Sequence, residues 1–397
     1  MASERPILIA GGGLGGLSAA LALGRKGFSV RVFEQAEKFA PIGYGIQLGP
    51  NVFPMFARLG VTEAVMREAS IPKNILMLDA LSGEEVTHIP TGDNFRARFT
   101  HPYIIIHRED IHQVLIDACA ALPNVTMEGG ADVTGFVDRG EAVEAKLRDG
   151  RTIEGAALIG ADGLRSAVRA AIVKEDEPRP IGYVAHRTIV PMGELPSHIP
   201  FREEVVLWGG PGYHIVHYPL RHGTLFNVVA VFRTATFAER LDPDAYTAEV
   251  RKTYATAHPV MKTLIDMMDL GRRWIIADRD PVRHWSRGRV TLLGDAAHPV
   301  LQSFAQGACM AIEDGVVIAE MIEQAEGDMA RAFERYQRVR LLRTARLGLE
   351  SRAMWTFYHA EGIARDVRND TCAKWRDDDL FRCLAWLYDG IELPAVK

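Results

Sequence analysis

Ile7-Leu-Ile-Ala-Gly-Gly-Gly-Leu-Gly-Gly16, with Glu34 downstream, is the stretch whose reading decides the fold. Residues 7–10 form a short apolar run, long enough for one buried parallel strand. Gly11, Gly13 and Gly16 follow at once. In such a run the first glycine permits a tight turn and the second lets the backbone approach a pyrophosphate. The third lets the next helix pack closely on the strand. Leu14 and Gly15 sit between them, and a helix is predicted through Leu17–Leu23. Its N-terminal amides and positive dipole end would face phosphates. Phe28–Phe33 then alternates and ends at Glu34. That carboxylate stands near the roughly 20-residue spacing at which an acid accepts hydrogen bonds from a ribose hydroxyl. An acid there disfavours a 2′-phosphate. A glycine-rich turn without a ligand is the plain alternative, but strand, glycines, helix, strand and acid all fall in order. The stretch alone does not separate FAD from NAD.

Two later signatures do. Ala157–Asp162 reads as a buried strand running into Gly160-Ala-Asp-Gly163, and Arg165–Arg169 opens a helix. Arg289–Leu293 is a third such strand, ending in Gly294-Asp-Ala-Ala-His-Pro299. Asp162 and Asp295 are candidates for ribose or ribitol hydroxyls. Each alone would also serve as a helix cap. Pro299 keeps the turn small, and Gln306-Gly307-Ala308 leads into a helix predicted over Met310–Gln324. Its N-terminus would point at a flavin ring, where partial positive charge suits the reduced, anionic form. The three signatures together, in this order, indicate bound FAD.

The 397 residues, 48% hydrophobic and 24% charged, suffice for a large core and two domains. A net charge of −5 gives no basic excess for nucleic acid or an anionic membrane. Cys119, Cys309, Cys372 and Cys383 show no zinc or CxxC spacing, so a reduced, cytoplasmic protein is expected. No apolar run reaches the length of a membrane span. No metal site is expected, since His298 lacks a spaced set of further ligands. The fold class is α/β. A Rossmann-like FAD-binding domain is expected over residues 1–180, with a strand excursion at about 71–100, and over 276–330. Residues 123–160 alternate like a β-meander. A second sheet is expected over 181–275 and would cover the flavin. A helical segment over 331–397 follows, and the arginines of Arg331–Tyr358 read as a solvated face.

The three signatures resemble those of the single-component FAD-dependent aromatic hydroxylases, the para-hydroxybenzoate and salicylate hydroxylase group, over essentially the whole chain. Pro72–Ile75, Tyr213–Arg221 and Gly294–Gln302 are more narrowly similar to the 3-hydroxybenzoate 6-hydroxylases. That resemblance implies hydroxylation of a phenolic aromatic acid, 3-hydroxybenzoate to gentisate, with O2 and a transiently bound NADH (or NADPH). It implies oxygen delivery through a C4a-hydroperoxyflavin, and a homodimer. Salicylate 1-hydroxylases and 6-hydroxynicotinate 3-monooxygenases share the motifs and stay open as alternatives. An FAD dehydrogenase or reductase usually lacks the second and third signatures. A non-catalytic carrier on a decayed version of the fold would have lost its glycines.

A phenol, with a pKa of about 10, needs a base at neutral pH. His214 is the candidate. In a strand, His214, Val216 and Tyr218 share a face, and His217 takes the other. The resemblance carries catalytic roles onto His214, Tyr218 and Gln302. It also carries cofactor contacts onto Gln47, in the Gly43–Gln47 loop, and Arg108, at the pyrophosphate. A satisfied core histidine and a strand-end tyrosine are the plain alternatives. Arg187, Arg221 and Lys73 are all candidate partners for a substrate carboxylate, and the sequence does not choose among them.

Overall fold

The computed structural model describes residues 5–39, 43–174, 177–239 and 242–393. The last residues of the expected C-terminal segment, 394–397, lie outside that range. Ile7–Ala10 pairs in parallel with Ala157–Gly160 on one side and Val30–Glu34 on the other. Val290–Leu292 and Val125–Gly129 extend this sheet in parallel, and Ser286–Arg287 closes one edge by an antiparallel hairpin. All three glycine–acid signatures therefore end neighbouring strands of one sheet at the same edge. This is where ligands collect in open parallel sheets. Helix Leu14–Arg25 packs against it, and helix Gly307–Gln324 packs alongside that helix.

Val125–Gly129 departs from the expected meander. It follows helix Arg108–Ala120 and joins the parallel sheet beside Val30–Glu34 as a crossover strand. Local alternation cannot reveal so distant a partner. Only Val133–Asp138, Val143–Leu147 and Thr152–Gly155 form the antiparallel three-stranded unit. The excursion supplies two strands, Asn74–Asp79 and Glu85–Pro90, and then a helix, Asp93–Phe99.

The second sheet has seven strands, in the order Trp274–Asp278, Arg179–Pro191, Leu225–Arg233, Tyr213–Leu220, Val205–Gly210, Asn74–Asp79 and Glu85–Pro90. One face carries Trp208, Tyr213, Ile215, Phe226 and Phe232, buried with Tyr246 and Met261 of helices Pro243–Thr253 and Pro259–Asp266. The opposite face is left for a site. Its register sets Arg187 opposite Val229, Val229 opposite Val216, Val216 opposite Leu207, Leu207 opposite Met77 and Met77 opposite Thr87. These residues form one row across six strands.

Three further helices, Met329–Tyr358, Ile363–Cys372 and Asp377–Tyr388, follow. The arginines of the first are not all solvated. Arg340 is completely buried and paired with Glu313 and Asp314, each at 2.6 Å. Arg343 holds Glu313 from the other side at 2.8 Å. A polar stripe on a helix resembles a wet face until its partners on another helix are known. Among the described residues no helix is long and apolar enough to cross a membrane.

Candidate active site

Two cavities meet where the sheets face each other. One, of about 760 Å³, is lined by Gly11, Gly13, Leu14, Gly15, Glu34, Arg108, Asp162, Arg165 and Asp295. The other, of about 640 Å³, is lined by Gln47, Tyr103, Arg187, His214, Tyr218 and Gln302, with the row of apolar residues described above. Ile46, Asp295, Gly307 and Ala308 border both.

The three fingerprint glycines divide their labour as the motif requires. Gly11 has φ +106°, and a Cβ there would fall 2.3 Å from the Ala161 carbonyl oxygen. A Cβ on Gly16 would fall 2.0 Å from the Gly11 carbonyl oxygen. These two are demanded by packing, and Gly16 is buried away from the cavity. Gly13 differs, because a Cβ there would meet no protein atom within 4 Å. It leaves open space on the cavity wall, as a backbone approached by a pyrophosphate must. Gly13→Ala is therefore expected to fold with an unchanged apoprotein Tm and to bind FAD at least about tenfold more weakly, a loss of about 1.4 kcal/mol. Gly16→Ala is expected to give little folded protein. Flavin content and thermal unfolding of the two variants check this contrast.

Glu34 accepts from the Gly12 amide at 2.9 Å and the Ala36 amide at 3.0 Å. This fixes its carboxylate at the cavity rim, with lone pairs to spare for hydroxyls. Arg108, at the start of helix Arg108–Ala120, and Arg165 carry guanidinium groups that pair with no carboxylate among the described residues. Two unpaired cations, an open glycine backbone and a helix N-terminus fit the pyrophosphate of FAD. The Arg165 contribution is absent from the sequence expectations. Asp162 lines this cavity but also caps a helix, accepting from the Val168 amide at 3.2 Å and from the Ser166 hydroxyl. Asp295 faces the junction of the cavities. Burial pushes its carboxyl up, and His298 and Arg108 oppose that. Pro299 is buried behind the turn and borders neither cavity.

Gln47 does not lie in a loop. It belongs to strand Gly45–Leu48, paired antiparallel with Ile104–His107. Its Oε1 accepts from the Tyr103 hydroxyl at 2.7 Å, and its side chain also hydrogen-bonds Tyr218. It thus borders the second cavity and is not among the residues lining the first. The strand Tyr213–Leu220 delivers His214, Val216 and Tyr218 to one cavity wall, and His217 to the opposite face, against Trp208 and Phe226. Burial raises the Tyr218 phenol, and the Arg187 charge opposes it. Burial, then the adjacent His359, holds His214 well below the usual histidine range, so its ring is neutral at pH 7.

Arg187 donates to Gln302 Oε1 at 3.0 Å and pairs with no carboxylate among the described residues. The rival cations are occupied. Arg221 forms a two-bond pair with Asp110 at 2.8 and 3.0 Å, and Lys73 is paired with Glu203 at the surface. Helices Met329–Tyr358 and Asp377–Tyr388 close the cavity with Met354, Phe357, Tyr358, Leu384, Trp386 and Tyr388. The aromatic run Trp355–Tyr358 was the available sequence signal for this wall, and helical spacing alone reads it as ordinary core.

A family model described as "FAD binding domain" matches residues 4–348. The chain is 42% identical to a 3-hydroxybenzoate 6-hydroxylase of Polaromonas naphthalenivorans, over 97% of this chain and 96% of the relative. The chain belongs to the FAD-dependent aromatic hydroxylases. A 6-hydroxynicotinate 3-monooxygenase of Bordetella bronchiseptica is 34% identical, over 87% of this chain and 90% of the relative. Among solved structures, Klebsiella pneumoniae HpxO complexed with FAD and uric acid superposes with a TM-score of 0.86 at 26% identity. That match covers 98% of each chain. As a hydroxylase of this family the protein uses FAD, and Gly11, Gly13, Glu34, Arg108 and Arg165 line the cavity whose chemistry fits it. Bound FAD supplies the activation of dioxygen. The polypeptide supplies the site in which an aromatic ring is oriented and its protons are managed.

Proposed function

We propose that this hydroxylase converts 3-hydroxybenzoate to gentisate, using NADH as reductant. The observation that carries the reading is Arg187, a cation with no anionic partner among the described residues, lining the same apolar cavity as the neutral imidazole of His214. A half-buried cation in an apolar cavity without a counter-ion carries a desolvation cost, and the cost is offset if a ligand brings the anion. A phenolic aromatic acid supplies what each group lacks: a carboxylate for Arg187 and a hydroxyl proton for His214. Gln302 accepts from the guanidinium, and Tyr218 and Gln47 offer the ring polar contacts on the same cavity wall. The apolar row across the sheet keeps water from the ring. The names of three relatives at 39–42% identity support the same substrate. Four free cysteines, three of them buried, are consistent with a cytoplasmic enzyme.

The test is NADH oxidation by the purified yellow protein with 3-hydroxybenzoate, salicylate and 6-hydroxynicotinate in turn, with product analysis and NADPH as the comparison reductant. Gentisate is expected from 3-hydroxybenzoate, with NADH oxidation strongly stimulated by that compound. Catechol from salicylate, or a dihydroxypyridine from 6-hydroxynicotinate, in place of gentisate would overturn the substrate assignment.

A further inference from the structure

Behind His214 stands a second imidazole, His359, directly after helix Met329–Tyr358. His214 Nδ1 lies 2.9 Å from His359 Nε2. Two neutral imidazoles at that distance share one proton, which leaves two arrangements. In one, His214 donates from Nδ1 and keeps a lone pair on Nε2. In the other, His214 accepts at Nδ1 and carries its proton on Nε2. Among the described residues Nε2 of His214 makes no hydrogen bond, and its residue lines the cavity. A phenol hydroxyl is a donor seeking an acceptor, so only the first arrangement meets it with a base.

His359 is held for this task. Its ring stacks on Tyr183 at 4.9 Å and meets Trp355 edge-on at 5.0 Å. Trp355 also meets His214 edge-on at 5.3 Å, so one indole braces both imidazoles. We propose that His359 is a positioning residue, which fixes His214 as its Nδ1–H tautomer and receives the proton that His214 takes from the substrate phenol. This rests on the substrate reading above.

The proton count closes. The phenol O–H bond breaks and an Nε2–H bond forms on His214. The Nδ1–H bond of His214 breaks and an Nε2–H bond forms on His359. His214 ends neutral, His359 ends as the imidazolium, and the phenol ends as the phenolate. No oxidant or reductant enters. The phenol grows more acidic as its ring gives up electron density to the incoming oxygen, so a weak base suffices at that moment. The charged groups facing His359 are Arg233, from strand Leu225–Arg233, and Arg368, from helix Ile363–Cys372. With burial they hold it at about 4, so both imidazoles are neutral at pH 7 before the phenol arrives.

The tautomer is testable without mutation. In holoenzyme carrying 15N-labelled histidine, with 3-hydroxybenzoate added, His214 is expected to show a protonated Nδ1 and an unprotonated Nε2. The Nε2–H form would overturn the proposal. In turnover, His359→Phe is expected to lower kcat at least about tenfold, with KM changed less than about threefold and flavin content unchanged. His359→Gln, whose Oε1 still accepts from Nδ1–H but cannot take up the proton, is expected to restore the tautomer and recover part of that loss. A Phe variant with wild-type kcat would overturn the proposal, as would a Gln variant no better than Phe. If wild-type enzyme neither binds nor turns over 3-hydroxybenzoate, the substrate reading fails. The tautomer, measured with whichever of the three acids does turn over, then decides the His359 proposal.

Discussion

Arg187→Met is expected to raise KM for 3-hydroxybenzoate by at least about 30-fold while leaving the fold intact or slightly more stable. The first half follows from the ion pair the variant forfeits. Truncating one member of a buried, hydrogen-bonded charge pair costs roughly 2–5 kcal/mol. Each 1.4 kcal/mol is about tenfold in affinity. The second half is less usual. Arg187 has no carboxylate partner among the described residues, so its removal strands no buried anion there. Burial already lowers the affinity of its guanidinium for the proton, a sign that the folded chain holds this charge at a cost. Methionine relieves that cost and fills similar volume. A structural arginine behaves in the opposite way, since its loss lowers Tm. The matched control is 3-hydroxybenzyl alcohol, which keeps the phenol and lacks the carboxylate. Its KM is expected to change less than about threefold. Substrate titrations with both compounds and one melting curve check this. An equal loss of affinity for acid and alcohol would remove Arg187 from the role of carboxylate partner.

Much of the cofactor cavity was legible in the sequence because its determinants are local. Gly11, Gly13, Gly16 and Glu34 are all set by one strand–turn–helix–strand unit. The face shared by His214 and Tyr218 follows from strand alternation alone. What was not legible depends on distant partners. Arg187, Arg221 and Lys73 look alike in sequence. They are told apart only by Asp110 and Glu203, which neutralise two of them and not the third. Val125–Gly129 looked like one more meander strand, because its partner is Val30–Glu34. Gln47 was placed near the cofactor by the family resemblance, in a segment expected to be a loop, and pairing with Ile104–His107 makes that segment a strand whose Gln47 borders the other cavity. His359 had no sequence signal at all, since its meaning comes from a contact with a residue 145 positions earlier.

The arginine stripe of helix Met329–Tyr358 is the largest departure from the sequence expectation, and Arg340→Met shows what it is worth. Arg340 Nε donates to Asp314 Oδ1 and Nη1 donates to Glu313 Oε2, both at 2.6 Å, with all three side chains fully buried. Asp314 Oδ2 in turn accepts from the Gly294 amide at 2.8 Å and lies 2.6 Å from His298 Nε2. The cluster therefore fixes the turn that presents Asp295 between the two cavities. Burial pushes the Asp314 carboxyl up, but His298 and Arg340 outweigh it, and the net position is well below the usual carboxylate range. Removing one partner of such a pair costs about 3–5 kcal/mol, because a charge is left buried and uncompensated. Of a total stability on the order of 5–15 kcal/mol, that is a large share. The pH dependence identifies the cause. In the wild type a depressed carboxyl contributes stability that is present above its unfolded pKa, about 4, and is lost as pH falls further. In Arg340→Met the same carboxyl becomes harder to ionise, so the variant gains relative stability as acid protonates it. The deficit measured by urea unfolding is therefore expected to be greatest near pH 7 and to shrink toward pH 5. Adding Asp314→Asn should recover part of the deficit at pH 7, since a neutral amide needs no counter-ion. Glu313 keeps Arg343 in either background. A deficit unchanged between pH 7 and pH 5, with no recovery in the double variant, would mean that Arg340 contributes through packing and not through charge.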